Sequence, residues 1–120
     1  MARFLIHIHS GPEAPTKATL GLLVGLTAMK EGHEVTFFLA GDGVHLLAPD
    51  HVASVVGEGT GALADHVPAL AEAGAELFLS GMSAKARGYD ESLLAGQNAA
   101  FAMPTKLVAL AAEADTVLCY

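Results

Sequence analysis

Arg3-Phe4-Leu5-Ile6-His7-Ile8-His9, ended by Ser10-Gly11-Pro12, reads as a β-strand. Phe4-Leu5-Ile6 is apolar on both faces, as a strand inside a parallel sheet requires, because helices cover such a sheet from both sides. From Ala14 to Glu31 the chain is rich in Ala, Leu and Met and apolar nearly all round, which predicts a well-buried helix. Gly32 suits the position just past its end, and Lys30 sits in the last turn, where the helix dipole favours a cation. Glu34 to Ala40 predicts a second strand, closed by Gly41-Asp42-Gly43. Strand, helix and strand in this order form one parallel unit, and the remainder repeats the alternation. A short helix over Val44–Leu47 leads into an irregular segment through Gly61. A helix follows over Leu63–Ala73, stopped by Gly74, then a strand over Glu76–Leu79 and a helical turn over Met82–Arg87. A short strand over Ala99–Met103, a helix from Pro104 to Ala114 and a strand over Thr116–Tyr120 complete the chain. The expectation is one α/β domain over residues 1–120, with a parallel sheet in a three-layer arrangement. Ligands of such sheets bind beyond the carboxyl ends of the strands. His9-Ser10-Gly11, Gly41-Asp42-Gly43 and Ser80-Gly81-Met82-Ser83 are the turns at that edge.

Composition narrows the function. The 120 residues are 52% hydrophobic and 16% charged, which excludes a disordered chain. Mean hydropathy is +0.47, but the longest apolar stretch, Ala18–Met29, is interrupted by Thr19, Gly21, Gly25 and Thr27. That is too short for a membrane span, which needs about 20 apolar residues. Met1–Ile6 runs directly into His7 with no cleavable apolar segment, so the expectation is a cytoplasmic protein without a signal peptide. Thirteen acids against six Lys and Arg give a net charge of −7, which disfavours a nucleic-acid partner. A single cysteine, Cys119, rules out an internal disulfide and any cysteine-cluster zinc site.

Several local patterns carry chemistry that must be weighed. Gly57-Glu58-Gly59-Thr60-Gly61-Ala62 fits a dinucleotide-binding turn, with Glu76 near the spacing of the ribose-binding acid. Glu76 opens its strand at the far edge from such a ligand, however, so a flexible loop is the better reading and no cofactor is expected. No glycine cluster is followed by Lys-Ser or Lys-Thr, which disfavours phosphoryl transfer. His7 and His9 share a strand face and could chelate a metal with Asp42 or His45. Two ligands are too few, so the reading is no metal, His7 hydrogen-bonded beneath a helix and His9 at the rim. His33, His45, His51 and His66 read as solvated. Ser80 lacks the G-x-S-x-G of a nucleophile elbow and reads as a turn or cap residue. Cys119 reads as a packed, unreactive thiol inside the last strand. Lys85 and Arg87, after Ser80, would give an otherwise acidic protein a local site for a small anion, or they are plain surface cations.

Taken together, the turns resemble the DsrE/DsrF-like family of sulfur-relay proteins. The likeness lies in Gly11-Pro12-Glu13-Ala14-Pro15-Thr16-Lys17-Ala18-Thr19, in Glu31-Gly32-His33-Glu34-Val35 with Phe38-Leu39 and Gly41-Asp42-Gly43-Val44, and above all in Ala84-Lys85-Ala86-Arg87-Gly88-Tyr89 followed by Asp90, Glu91 and Leu94. The resemblance implies a five-stranded parallel sheet in the order 4-3-2-1-5 and homo-oligomers, often trimers or hexamers. It also implies a role in passing sulfane sulfur between partner proteins, carried as a persulfide on a cysteine at the end of the third strand. Many relatives read Cys-x-x-Cys there, where this chain has Ser80-Gly81-Met82-Ser83. Ser80 thus holds the catalytic position of the family, and a serine hydroxyl cannot carry a transferable sulfur. The expectation is a non-catalytic oligomeric domain that binds a small anion or a relay partner through His9, Ser10, Gly41, Asp42, Gly81, Ser83, Lys85 and Arg87. The alternatives are sulfur transfer through Cys119, or a serine- or metal-dependent enzyme built on His9 and Asp42.

Overall fold

The computed structural model describes all of residues 1–120. Five strands form one parallel sheet: β1 (Arg3–Ile8), β2 (Glu34–Leu39), β5 (Glu76–Ser80), β6 (Ala99–Ala102) and β7 (Thr116–Cys119). Their spatial order is β6-β5-β2-β1-β7. Counting only these five along the chain, that is 4-3-2-1-5, the order the resemblance implied. The helices are α1 (Pro15–Lys30), α2 (Pro49–Ser54), α3 (Leu63–Glu72), α4 (Gly81–Ala86) and α5 (Pro104–Glu113).

Side chains of a strand alternate between faces, and the two faces of this sheet are covered unequally. Ile6, Ile8, Val35, Phe37, Leu39, Leu77 and Leu79 point to one side, where they pack with Ala18 and Leu22 of α1 and Leu63, Val67 and Leu70 of α3 in a single core. Pro15 and Pro104 open their helices at a position where the missing N–H costs nothing. Gly32 (φ 87°) and Gly74 (φ 66°) end α1 and α3 in the left-handed conformation glycine tolerates. The N–H groups of His33 and Ala75 reach back to the carbonyls of Ala28 and Leu70 at 3.0 Å, closing both ends as the two glycines predicted. The opposite face is covered by α5 alone. No residue of α5 is buried, although Lys106 Nζ lies 4.9 Å from the centre of the Phe78 ring. The result is a three-layer α/β/α arrangement with a thin third layer.

The structure departs from the sequence reading in several places. The segment read as irregular through Gly61 holds α2 and a small antiparallel hairpin, β3 (Val56–Gly57) with β4 (Gly61–Ala62). That hairpin is docked on α1 and is no free loop: Thr60 and Thr19 share a hydroxyl hydrogen bond at 2.7 Å, and the Glu58 N–H donates to Thr16 Oγ1 at 2.9 Å. Gly41–Leu47 is one 3₁₀ segment that takes in the Gly41-Asp42-Gly43 turn as well as the predicted helix. Cys119 is exposed, because β7 is an edge strand and the α5 face above it is open. His7 is not hydrogen-bonded beneath a helix; its Nε2 is buried with no partner. No helix is long and apolar enough to cross a membrane.

Candidate functional site

The turns after β1, β2 and β5 meet at the carboxyl edge of the sheet, as the topology of a parallel sheet dictates. Gly11 and Asp42 lie back to back: a Cβ at Gly11 would collide with the Asp42 carbonyl, so only glycine lets the first two turns approach this closely. Ser80 caps α4, its hydroxyl accepting the Ser83 N–H at 3.1 Å. Ser83 Oγ in turn accepts the Gly41 N–H at 2.9 Å, tying α4 to the second turn. Both hydroxyls therefore satisfy backbone donors that would otherwise be orphaned where the chain changes direction.

Arg87 reaches from just past α4 to the second turn. Its Nε and Nη2 both donate to Asp42 Oδ1, at 3.1 and 3.0 Å, and its Nη1 donates to the Ser83 carbonyl at 3.1 Å. The guanidinium is thus paired and half-buried. Lys85 is exposed and makes no ion pair, so it is the cation of this edge left facing solvent.

Beside this ion pair stands a network that sequence reasoning missed. His45 Nδ1 and Tyr89 Oη share a hydrogen bond at 2.6 Å, and His45 Nε2 is 3.8 Å from the same Asp42 oxygen that Arg87 holds. His51 packs edge-on against His45, ring centres 5.2 Å apart. Burial holds the His45 imidazole below its ordinary value, the neighbouring His51 adds to this, and the nearby Asp42 opposes it. The Tyr89 phenol is pushed up by burial and by Asp50. Pro12, Glu13, Asp42, His45 and His51 line an open depression of about 240 Å³ in front of the network. His45 is therefore not a solvated loop residue, and neither are two others. His66 Nε2 lies 2.7 Å from the Thr60 carbonyl, and His33 Nδ1 accepts the Ala2 N–H at 2.9 Å. The one hint in the sequence was the crowding of Asp42, His45 and His51 within ten positions after a sheet-edge turn.

Of the residues singled out from sequence, the structure brings Gly41, Asp42, Ser80, Gly81, Ser83 and Arg87 into one connected edge. Ser10 is buried beneath the first turn. His9 is exposed, next to His7 at 5.5 Å between ring centres, and no hydrogen bond joins it to Asp42.

The model of the DsrE/DsrF-like family matches residues 2–120. The chain belongs to that family. The crystal structure of the YchN protein from E. coli superposes on this DsrE-like chain with a TM-score of 0.78 at 16% identity, over 100% of both chains. At that identity the likeness establishes the fold. No curated protein matches the chain. Within the DsrE/DsrF-like fold, the end of the third sheet strand is occupied here by the capping hydroxyl of Ser80.

Proposed function

We propose that this chain is a DsrE/DsrF-like subunit that binds a partner protein and carries no sulfur at the end of its third sheet strand. The observation that supports this most directly is the use of both hydroxyls there. Ser80 and Ser83 each accept a backbone N–H, so both hydroxyls have a structural duty at this turn, and a hydroxyl carries no transferable sulfur. Arg87, the second expected anion ligand, is matched by Asp42, and this favours a protein partner over a free small anion. Lys85 remains available as a charged contact for that partner.

Incubation with a small-molecule persulfide donor, followed by measurement of cyanide-labile sulfur, tests the reading. With Cys119 replaced by Ser, the chain should acquire none, whereas the same chain carrying Ser80→Cys should, because the substitution leaves the backbone and cations of the turn in place. A second reading has one observation in its favour: Cys119 is exposed, and it is the register partner of His7 on β1. Stable loading of sulfur on Cys119 would establish that second reading and overturn the first.

A further inference from the structure

We infer that the groove between α1 and α3 is a two-fold interface, and that its occupant is the same groove of a second copy of this chain. The inference is independent of whether the chain carries sulfur. The groove is open, about 750 Å³ in volume, and lies on the solvent side of the two helices. Its floor is apolar, with Leu23, Leu26 and Met29 from α1 beside Ala69 and Ala73 from α3. Leu26 and Met29 lean on the core, whereas Leu23 stands 37% exposed. The two alanines are small, so a leucine from outside can seat between the helices as a ridge enters a groove. Thr27 spends its hydroxyl on the Leu23 carbonyl at 2.7 Å, so it needs no partner from across the groove.

The charges on the rim say what the occupant is. α1 and α3 each return from the carboxyl edge of the sheet to its amino edge, as connections into parallel strands must, so they run side by side in the same direction. Asp65 and His66 therefore stand toward the carboxyl-edge end of the groove, and Lys30 and Glu72 at the amino-edge end. Two helical turns, about 10.5 Å, separate Asp65 from Glu72. Lys30, Asp65 and Glu72 are exposed and form no ion pair within the chain.

A two-fold axis through the middle of the groove, near Leu26 and Ala69, turns one end onto the other. It sets Lys30 of each copy against Asp65 of the partner subunit, and Glu72 against His66 of the partner subunit. The His66 ring is already fixed, with Nε2 2.7 Å from the Thr60 carbonyl, and its Nδ1 has no partner. Leu23 comes over Ala73 of the partner subunit, so the apolar floors meet between the charged ends. Stacking the grooves in the same direction would instead set Lys30 against Lys30 and Asp65 against Asp65. The charge pattern therefore selects the two-fold. The contact lies across the sheet from α5 and uses none of the apolar surface on that side.

Light scattering at micromolar concentration tests the interface, and the native mass should correspond to an even number of chains. Asp65→Lys and Lys30→Glu should each weaken the contact by at least about tenfold and halve the mass, because like charges then meet at two symmetric places. The double variant restores opposite pairing and should recover the native mass, which damage to the fold by either change would not do. Leu23→Asp should also halve the mass, by setting a carboxylate on the apolar floor. Leu23, Lys30 and Asp65 are exposed, so the fold survives these changes, and circular dichroism checks it. An odd number of chains in the native protein would overturn the inference, and a single chain would leave the groove to a helix of another protein. An even assembly that keeps its mass in Leu23→Asp, or that the double variant does not restore, would overturn it too.

Discussion

His7 has a buried Nε2 with no hydrogen-bond partner, on the sheet face that only α5 covers. Its ring meets Phe38 edge-on at 5.9 Å between centres and His9 at 5.5 Å. Burial lowers its affinity for a proton below the ordinary value of 6.5, and the neighbouring His9 lowers it further. Well above pH 6.5 the group is neutral both folded and unfolded, and its titration takes nothing from stability. As the pH falls below 6.5, the unfolded chain takes up the proton first, and stability is lost until the folded-state value has been passed. His7→Leu removes both the titration and the orphaned nitrogen. It should raise stability at pH 7.5 by about 1 kcal/mol and flatten the decline on the acid side of 6.5. Chemical denaturation at a series of pH values measures both, and since His45 titrates in both proteins, the difference isolates His7.

At the scale of the element, β7 shows how an edge strand changes the meaning of a residue. Thr116-Val117-Leu118-Cys119 alternates, and Leu118 packs against the core while Val117 is 42% exposed. Cys119 shares the exposed side with Val117. Its thiol should therefore react completely with a small disulfide reagent in the native protein, one equivalent per chain, without the lag that global unfolding would impose. Labelling only after denaturant is added would show that this edge is covered. The cap of α4 makes the same point in reverse. Ser80 stands at the family's catalytic position but reads from the sequence as a turn or cap residue, and in the fold its oxygen accepts the Ser83 N–H.

For the molecule as a whole, the uneven sheet is the main physical fact. One face carries two helices and the core, whereas the other has α5, which buries none of its residues. Met82, Met103, Val108 and Val117 are between 42% and 68% exposed. A homo-oligomer, with a trimer or its multiple expected, would cover such surface. Light scattering at micromolar concentration should give a mass that is a multiple of 12.3 kDa. A monomer mass would refute that assembly and leave the exposed apolar side chains to a different partner.

The five sheet strands and the long helices could be read from the chain because they rest on local causes, whereas the strand order followed from the family resemblance, and α2 and the β3–β4 hairpin were read as irregular. Phe4-Leu5-Ile6 is apolar on both sides, Gly32 and Gly74 allow the backbone to reverse, and Pro15 and Pro104 set helix starts. The family turns were legible for the same reason, as short runs of adjacent residues. Periodicity also placed Ser80 and Asp42 at the edge where ligands bind, because every strand of a parallel sheet ends on the same side. What it could not supply was partnership. That Arg87 is neutralised by Asp42, 45 positions away, or that Tyr89 meets His45, 44 positions away, depends on which turns the folded chain brings together. The exposure of Cys119 and the docking of the hairpin on α1 are settled likewise, by which strand lies at an edge and which helix lies alongside. Hydrogen bonds and burial between distant segments leave no period or spacing in the sequence, and the packing of the whole chain alone decides them.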